Sequence, residues 1–569
     1  MLAPIVVFAY NRPTHIQRLL DSLAINPQAN QSHLIVYVDG LKLDNTPETQ
    51  LKRNEVIAIL HGEKRFYKVD IIIHQHNKGL AKSIIEGVSD VLYQYNKAIV
   101  LEDDLIVAPS FLAYMNYALN IYENDLEVGQ IGACNFFANG DQFPSSFFTV
   151  VPDCLGWATW KNRWQHFQID GKKLRDMLLR YPAALDRFTV HGSMDAVGML
   201  NDQITGRVSS WAIRWQAVCA LKNWKTLYPN SSMTQHWASI EATHAQINIL
   251  PPLADANHSI EKIEVSELPP IREALIKGYK RQTDFYGNPI PQSVTAKAAH
   301  YFRLFKAKLK NRLKILKNGY SFEGWIGNYE SWQQAKLDCM GYDDQAIIQA
   351  CITAANAIKN EWAACERDSI LLDQLEYSED LENAFLEIHS KQTALSVMDF
   401  GGSLGSTYSI YQQLLGDKIQ HWGIVEQPHF VEVGKQQFSI NKLNFYFNIH
   451  ECHKALNPNV ILLSSVLQYL ENPYQLLEEI QQLNKPYIIL DRTTVNFESQ
   501  DIITKQHVPN YIYEGNYPCW FLSEQKLLQS FAPHYKLIHS FQSYCEKPSK
   551  INGKTDVNWK GYVFERVSP

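Results

Sequence analysis

Lys97-Ala-Ile-Val-Leu-Glu-Asp-Asp104 is a short apolar run closed by three consecutive carboxylates. An apolar run of this length bounded by polar residues reads as a buried strand. Upstream, Pro4-Ile-Val-Val-Phe-Ala9 is another such run, broken by Asn11-Arg12-Pro13-Thr14, after which Ile16, Leu19, Leu20 and Leu23 recur at helical spacing. Leu34-Ile-Val-Tyr-Val-Asp39 is a further strand ending on an acid, and Val69-Asp-Ile-Ile-Ile-His74 leads through Asn77-Lys78-Gly79 into a helix reaching Val91. Apolar strands alternating with helices predict a parallel sheet covered on both faces. Ligands of such sheets bind beyond the carboxyl ends of the strands. The polar groups at those ends are Asn11, Arg12, Asp39, Asn77, Lys78, Glu102, Asp103 and Asp104. Three adjacent carboxylates repel one another unless a positive group sits among them. A divalent cation such as Mn2+ or Mg2+, itself holding a diphosphate, is the natural partner. A solvated acidic turn is the alternative, disfavoured by the position beside Asp39 and Lys78.

A second stretch repeats the logic. Val397-Met-Asp-Phe-Gly-Gly-Ser-Leu-Gly405 is an apolar strand running into a glycine-rich turn, and Asp399, Gly401, Gly402 and Gly405 are its candidate ligand-binding positions. Glycines let the backbone approach a ligand closely, and the following helix offers its N-terminus. The dinucleotide pattern Gly-x-Gly-x-x-Gly is not met. His421-Trp-Gly-Ile-Val-Glu426 is the next strand, and its terminal Glu426 is suited to grip ribose hydroxyls. Val460-Ile-Leu-Leu-Ser464 and Tyr487-Ile-Ile-Leu-Asp491 follow, and the Ser464 end is expected at the same ligand-binding edge.

Hydrophobic residues form 46% of the 569 and charged residues 20%, which excludes a disordered chain. The net charge of -6 argues against a protein that coats nucleic acid. Nine irregularly spaced cysteines without a Cys-x-x-Cys suggest neither a disulfide framework nor a zinc site, and point to a reducing compartment. No run of about 18 apolar residues occurs, so a cytoplasmic protein is expected. Between Phe285 and Phe322 there is no acid, while Arg303, Lys306, Lys308, Lys310, Arg312, Lys314 and Lys317 accumulate around Phe302, Phe305, Leu309, Leu313 and Leu316. This basic amphipathic pattern over 302–317 suits either peripheral contact with the inner face of an anionic membrane or a solvated linker helix; nucleic-acid binding is disfavoured because no recognition motif accompanies it. The expected organisation is an α/β chain of two domains, 1–270 and 321–569, joined by a linker over 271–320.

Pro4-Ile-Val-Val-Phe-Ala-Tyr-Asn-Arg-Pro13, Asn77-Lys-Gly-Leu80 and Val100-Leu-Glu-Asp-Asp-Leu105 resemble nucleotide-sugar glycosyltransferases of the GT-A fold, in the branch similar to N-acetylglucosaminyltransferase I. Gly156-Trp-Ala-Thr-Trp160, Ser210-Trp-Ala-Ile-Arg-Trp215, Leu227-Tyr-Pro229 and Thr243-His244 extend the likeness over about 1–250. The resemblance implies a Rossmann-like domain in which Asp104 binds the metal, Glu102, Asp103 and Lys78 lie near the nucleotide sugar, and Ala9, Tyr10, Asn11, Arg12 and Asp39 hold base and ribose. His244 would reach the metal or a phosphate, and the Trp157 and Trp211 segments would shape an acceptor pocket or simply pack as core. An inverting enzyme also needs a base on the acceptor hydroxyl. Ser209 stands where the family leads one to expect an acid, so Asp202, with Asp153 behind it, is the substitute; His236 stands where an asparagine is expected.

Asp399-x-Gly401-x-x-x-Gly405 resembles the first motif of class I S-adenosylmethionine (SAM) methyltransferases, with Ser403 in place of the usual middle glycine. Phe322-Glu-Gly-Trp-Ile-Gly-Asn-Tyr-Glu-Ser-Trp332, Gly341-Tyr-Asp343 and Tyr517-Pro-Cys-Trp-Phe521 look like a methyltransferase family of bacterial surface-polysaccharide clusters, over about 320–567. Asp491, His507 and Tyr517 are candidates to take an acceptor proton. Together the resemblances imply a bifunctional enzyme of capsule or O-antigen assembly, acting on a nucleotide-sugar donor and a glycan or lipid-linked glycan acceptor. Two alternatives stand beside it: a glycosyltransferase whose second half only binds SAM, and an inactive scaffold or glycan-binding protein.

Overall fold

The computed structural model describes residues 2–135, 143–236, 253–254, 261–280, 324–339, 344–507, 516–532, 534–551 and 555–567. The chain divides into two compact units, Met1–Phe302 and Arg303–Pro569.

In the first unit, strands β1 (Ile5–Ala9), β2 (His33–Val38), β3 (Lys68–Ile73) and β4 (Lys97–Glu102) run parallel in the order β3-β2-β1-β4. Helices Pro13–Ala24, Pro47–Gly62 and Leu80–Gln94 connect them. Each strand is apolar because it is enclosed by helices: Ile5, Val6 and Val7, and likewise Ala98, Ile99 and Val100, have no measurable exposure. After β4 the chain turns at Asp103-Asp104 into β5 (Leu105–Val107). Strands β6 (Val128–Gly132), β7 (Ser146–Thr149), β8 (Trp157–Trp160) and β9 (Lys225–Pro229) complete an eight-stranded sheet, β3-β2-β1-β4-β8-β6-β9-β7, and β10 (Thr234–His236) pairs antiparallel with β5. The helix Pro269–Lys280, assigned from the sequence to the linker beginning at 271, buries Ile271 and Leu275 with Phe147 and Tyr228, so ordered packing of the first unit continues past 270.

The second unit opens with β11 (Gly324–Tyr329), helices Trp332–Leu337 and Asp344–Lys359, and a tight hairpin of β12 (Cys365–Arg367) and β13 (Ile370–Leu372). Its sheet is built on parallel strands β14 (Leu395–Phe400), β15 (Ile419–Val425), β16 (Leu443–Tyr446), β17 (Val460–Ser464) and β18 (Tyr487–Asn496) in the order β16-β15-β14-β17-β18. Beyond these, β19 (Ile502–His507) pairs with β11 and with β20 (Asn516–Ser523), whose end meets the end of β18. On the other flank β23 (Thr555–Arg566) lies antiparallel between β18 and β21 (Tyr535–Gln542), with the short β22 (Ser549–Ile551) also on β23. Both units are therefore Rossmann-like α/β sheets, as the strand periodicity predicts. No helix among the described residues is long and apolar enough to cross a membrane. The basic stretch 302–317, the Gly341-Tyr-Asp343 motif and His244 lie outside the described residues.

Candidate active sites

In the first unit the predicted residues meet at the carboxyl ends of β1, β2 and β4. Pro13 opens its helix at the first turn, a position where the missing N–H costs nothing, and this leaves Ala9, Tyr10, Asn11 and Arg12 as the β1 turn. Arg12 Nη1 donates to Asp104 Oδ2 at 3.1 Å and lies 3.6 Å from Asp103 Oδ1. The Tyr10 N–H donates to Asp103 Oδ2 at 3.4 Å, and the Tyr10 hydroxyl is buried without a partner. Pairing of β10 with β5 sets His236 opposite Leu105, which brings His236 Nε2 within 3.3 Å of Asp104 Oδ2.

Burial and the neighbouring charges of Asp104 and Asp103 push Glu102 up to about 8. Burial and Asp104 push Asp103 up to about 7 against the pull of Arg12. Burial also acts on Asp104, but His236 and Arg12 outweigh it and hold that carboxyl below its ordinary value. Three carboxyl groups thus share this turn with one guanidinium and one imidazole, and their oxygens are the donor type that a hard divalent cation takes. Among the described residues no group of three or more His, Cys, Asp or Glu side chains could hold a metal ion, so such an ion would draw further oxygens from its ligand.

Asp39 is 8% exposed, and its carboxylate accepts from the N–H groups of Gly40 (2.8 Å), Lys78 (2.9 Å) and Gly79 (2.9 Å) and from Asn77 Nδ2 (3.0 Å). It therefore moulds the 77–79 turn onto the end of β2. Arg53, not singled out from the sequence, ties the same edge together by donating from Nε to the Asp39 carbonyl at 2.6 Å and from Nη2 to the His74 carbonyl at 3.1 Å. The Lys78 ammonium is turned to Glu86 at 2.6 Å. Asp202 sits in the helix Ala196–Ile204, half exposed and paired with Arg207. Asp153, the other candidate base, is buried and spends its oxygens on the N–H groups of Ala133, Cys134 and Leu155, each at 2.8 Å, which is a structural role. Trp157 and Trp211 stack at 5.0 Å and are 1% and 4% exposed, so both pack as core.

In the second unit a cavity of about 910 Å3 lies along the carboxyl ends of β14, β15, β17 and β18. Asp399, Gly401, Gly402, Glu426 and Ser464 line it, and Gly405 caps the helix Ser406–Leu415 that follows the turn. Gly401 takes φ +75°, and its N–H donates to the Val425 carbonyl at 2.9 Å. A Cβ there would stand 2.5 Å from Val466 Cγ2, and one on Gly402 would stand 2.5 Å from Asp399 Oδ2. Asp399 Oδ2 accepts from Trp422 Nε1 at 3.0 Å, whereas Oδ1 is buried without a partner; burial lifts the carboxyl to about 7. Burial also raises Glu426, whose Oε2 accepts from the Gln427 N–H at 2.7 Å. The glycine cradle and the orphaned Asp399 oxygen fit a ligand carrying donor groups and positive charge, as SAM does.

Five non-glycine residues with left-handed backbone line this one cavity: Asp368, Ser369, Ser403, Ser465 and Arg492. Each such residue costs on the order of 1–3 kcal/mol, and strain of this kind gathers at functional sites. Ser403, at φ +52°, holds the conformation for which a glycine was expected. Asp491 and Tyr517 line the cavity, but His507 does not; its neighbour Gln506 does, and alternation along β19 turns His507 the other way. The Cys365–Leu372 hairpin carries Glu366 and Asp368 to the wall. Arg492, Tyr544 and Glu546 reach the same wall. No local spacing in the sequence announces that group, because its members come from three distant segments.

The GNT-I family model matches residues 1–167 of the chain. No curated protein matches it. Among solved structures, the N-terminal domain of EvdMO1 with SAH bound is similar at 10% identity, covering 40% of this chain and 98% of its own, with a TM-score of 0.26. The Burkholderia thailandensis 1,6-didemethyltoxoflavin-N1-methyltransferase, bound to 1,6-didemethyltoxoflavin and S-adenosylhomocysteine, is similar at 11% identity over 40% of this chain and 90% of its own, with a TM-score of 0.23. A Clostridium acetobutylicum S-adenosylmethionine-dependent methyltransferase is similar at 9% identity over 33% and 92%, with a TM-score of 0.21.

Proposed function

We propose that the chain is a two-site transferase of bacterial surface-polysaccharide assembly: the first unit, of GT-A type, transfers a sugar from a nucleotide-sugar donor, and the second methylates the glycan with SAM. The observation that carries this reading is the acid turn Glu102-Asp103-Asp104, whose charge is only partly met by Arg12 and His236. The Asp399–Gly405 cradle supports the second activity in the same way.

Asp104 would hold a divalent cation, with Glu102 and Asp103 beside it in the chain. When bound, that cation supplies charge neutralisation for the departing diphosphate. Arg12 adds a fixed positive charge beside the leaving group, and the β1 and 77–79 turns shape the nucleoside site, Asp39 holding the second of them in place. Asp202 is the candidate to accept the acceptor hydroxyl proton, which requires it to exchange Arg207 for substrate. In the second unit, Glu426 grips the ribose hydroxyls and Gly401, Gly402 and Gly405 admit the cofactor against the backbone. SAM bound there supplies an electrophilic methyl group. The basic stretch 302–317 suits a chain that meets lipid-linked acceptors at the cytoplasmic face of the membrane.

The test is a panel of nucleotide sugars with Mn2+ or Mg2+, read by mass spectrometry of the products. Turnover is expected for wild type and a loss of at least about 100-fold in Asp104→Ala. No turnover, or equal turnover in the variant, defeats the glycosyltransferase reading. Calorimetry with SAM tests the second half, and no heat of binding to folded protein defeats it.

A further inference from the structure

Beyond the cofactor cradle, the 910 Å3 cavity continues past Ser464 toward a wall of acids. The strand order sets the direction. Glu426 follows β15, Gly401 follows β14, Ser464 ends β17 and Asp491 lies on β18, so Asp491 is three strand intervals from Glu426, roughly 14 Å at about 4.8 Å per strand. A nucleoside held at Glu426 and Gly401 therefore presents its far end at Ser464, with Asp491 one strand further on.

Asp491 is built for a ligand. The register of β18 on β23 shifts between Leu490 and Thr493, so Asp491-Arg492 forms a bulge, and Arg492 takes φ +51°. Consecutive residues of a regular strand face opposite ways, but here both line the cavity, as bulges beside sites allow. Asp491 is 3% exposed; Oδ2 accepts from Ser464 Oγ at 2.7 Å, and Oδ1 is buried without a partner. Burial raises this carboxyl, which makes it a ready proton acceptor.

The charge of the wall selects the ligand. Four carboxylates, Glu366, Asp368, Asp491 and Glu546, stand at this end of the cavity with two arginines. Arg492 is already held by Glu546 at 2.5 Å and Asp368 at 3.2 Å, and Arg367 by Glu376. An anionic group entering here would meet unbalanced negative charge and no free guanidinium, whereas hydroxyl groups can donate to the carboxylates, and the rings of Tyr469, Tyr517 and Trp559 offer apolar faces.

We propose that the Asp491 end of the cavity is the methyl-acceptor subsite, that it takes an uncharged polyhydroxylated sugar rather than a uronate or nucleotide-linked sugar, and that Asp491 Oδ1 takes the proton of the methylated hydroxyl. This rests on the reading of the second unit as a SAM-dependent methyltransferase. The acceptor oxygen forms a bond to the methyl carbon. The carbon–sulfur bond breaks with its electron pair passing to sulfur, and the hydroxyl proton moves to Asp491, from which it is lost to water. The products are a methyl ether and S-adenosylhomocysteine. Methylation then follows sugar transfer, since the nucleotide-linked donor carries the wrong charge for this subsite.

The experiment uses the full chain. Calorimetry with S-adenosylhomocysteine is expected to give equal affinity, within about twofold, for wild type and Asp491→Asn. Saturation-transfer NMR on the loaded protein, with neutral methyl hexopyranosides and the matching hexuronates as probes, is expected to show contact for the neutral set only. Mass spectrometry should find methyl ethers of that set, with kcat reduced about 100-fold or more in Asp491→Asn and KM changed far less. If Asp491→Asn does not fold, Ser464→Ala, which releases Oδ2, is expected to lower kcat about tenfold. No binding of S-adenosylhomocysteine to wild type removes the methyltransferase reading and this proposal with it. Binding accompanied by equal use of uronates, by no contact from any neutral glycoside, or by an unchanged kcat in both variants overturns this proposal alone.

Discussion

Replacing Gly401 with alanine tests whether the glycine turn of the second unit is shaped as the strand-to-cavity geometry requires. At φ +75° an L side chain costs about 1–2 kcal/mol through its clash with the following carbonyl. The added Cβ would also stand 2.5 Å from Val466 Cγ2 and 2.9 Å from Val466 Cβ, and valine has little rotamer freedom with which to retreat. Overpacking of this kind adds about 1–3 kcal/mol, so the variant is expected to be about 2–5 kcal/mol less stable. Gly416 provides the comparison: at φ +55° and ψ -119° an L side chain is also strained by the backbone, but a Cβ there meets nothing within 4 Å, so no packing contribution is added. At about 2–4 °C per kcal/mol for a unit of this size, Gly401→Ala should lower the unfolding transition of the second unit by roughly 4–20 °C and Gly416→Ala by only a few degrees. The double variant Gly401→Ala/Val466→Ala removes the clash, and the cycle should return a coupling of about 1–3 kcal/mol in favour of the pair. SAM affinity, followed by calorimetry, should fall in Gly401→Ala and stay within about twofold of wild type in Gly416→Ala. Equal destabilisation by the two glycine variants, with no coupling to Val466, would refute the reasoning.

In the first unit, Asp39→Ala removes the acceptor of four hydrogen bonds and leaves the Lys78 and Gly79 N–H groups and the Asn77 amide without it; a loss of about 3 kcal/mol or more is expected in urea titration, together with loss of nucleotide binding. Glu102 and Asp103 titrate near 8 and 7 in the fold but near 4 when unfolded, so the folded chain keeps the extra protons between those values. Their contribution to stability is therefore full below about pH 4 and lost as pH rises toward 8, while Asp104, shifted downward, works in the opposite sense. Mn2+ should accordingly raise the melting temperature more at pH 8 than at pH 5, and an equal or inverted gain would place the ion elsewhere. Asp104→Asn should abolish that metal-induced rise.

Period and punctuation in the chain were enough to indicate the parallel core of each sheet, but not the strands that extend it, among them β6–β9 and β16. Apolar runs such as Ile5–Ala9 and Val460–Ser464 must be buried on both faces, and a parallel sheet with helices on either side is the arrangement that buries them. Strand ends were legible for the same reason, because a polar residue closing an apolar run marks where the sheet edge begins; Asp39, Glu102, Asp399 and Glu426 all stand there. What those residues do was decided by distant contacts. Asp39, expected at base and ribose, also accepts from the turn after β3, because that turn folds back onto β2. His236 meets Asp104 only because β10 pairs with β5, 132 positions away in the chain. Trp157 and Trp211, equally plausible as pocket or core, became core by stacking on each other. The acid wall around Asp491 is the clearest case: Glu366, Arg492 and Glu546 lie on three segments whose separation carries no local period. Local sequence determines which residues must hide from water and where each strand stops. Strand pairing and hydrogen-bond competition, both properties of the whole fold, decide which of the exposed polar ends remain available for chemistry.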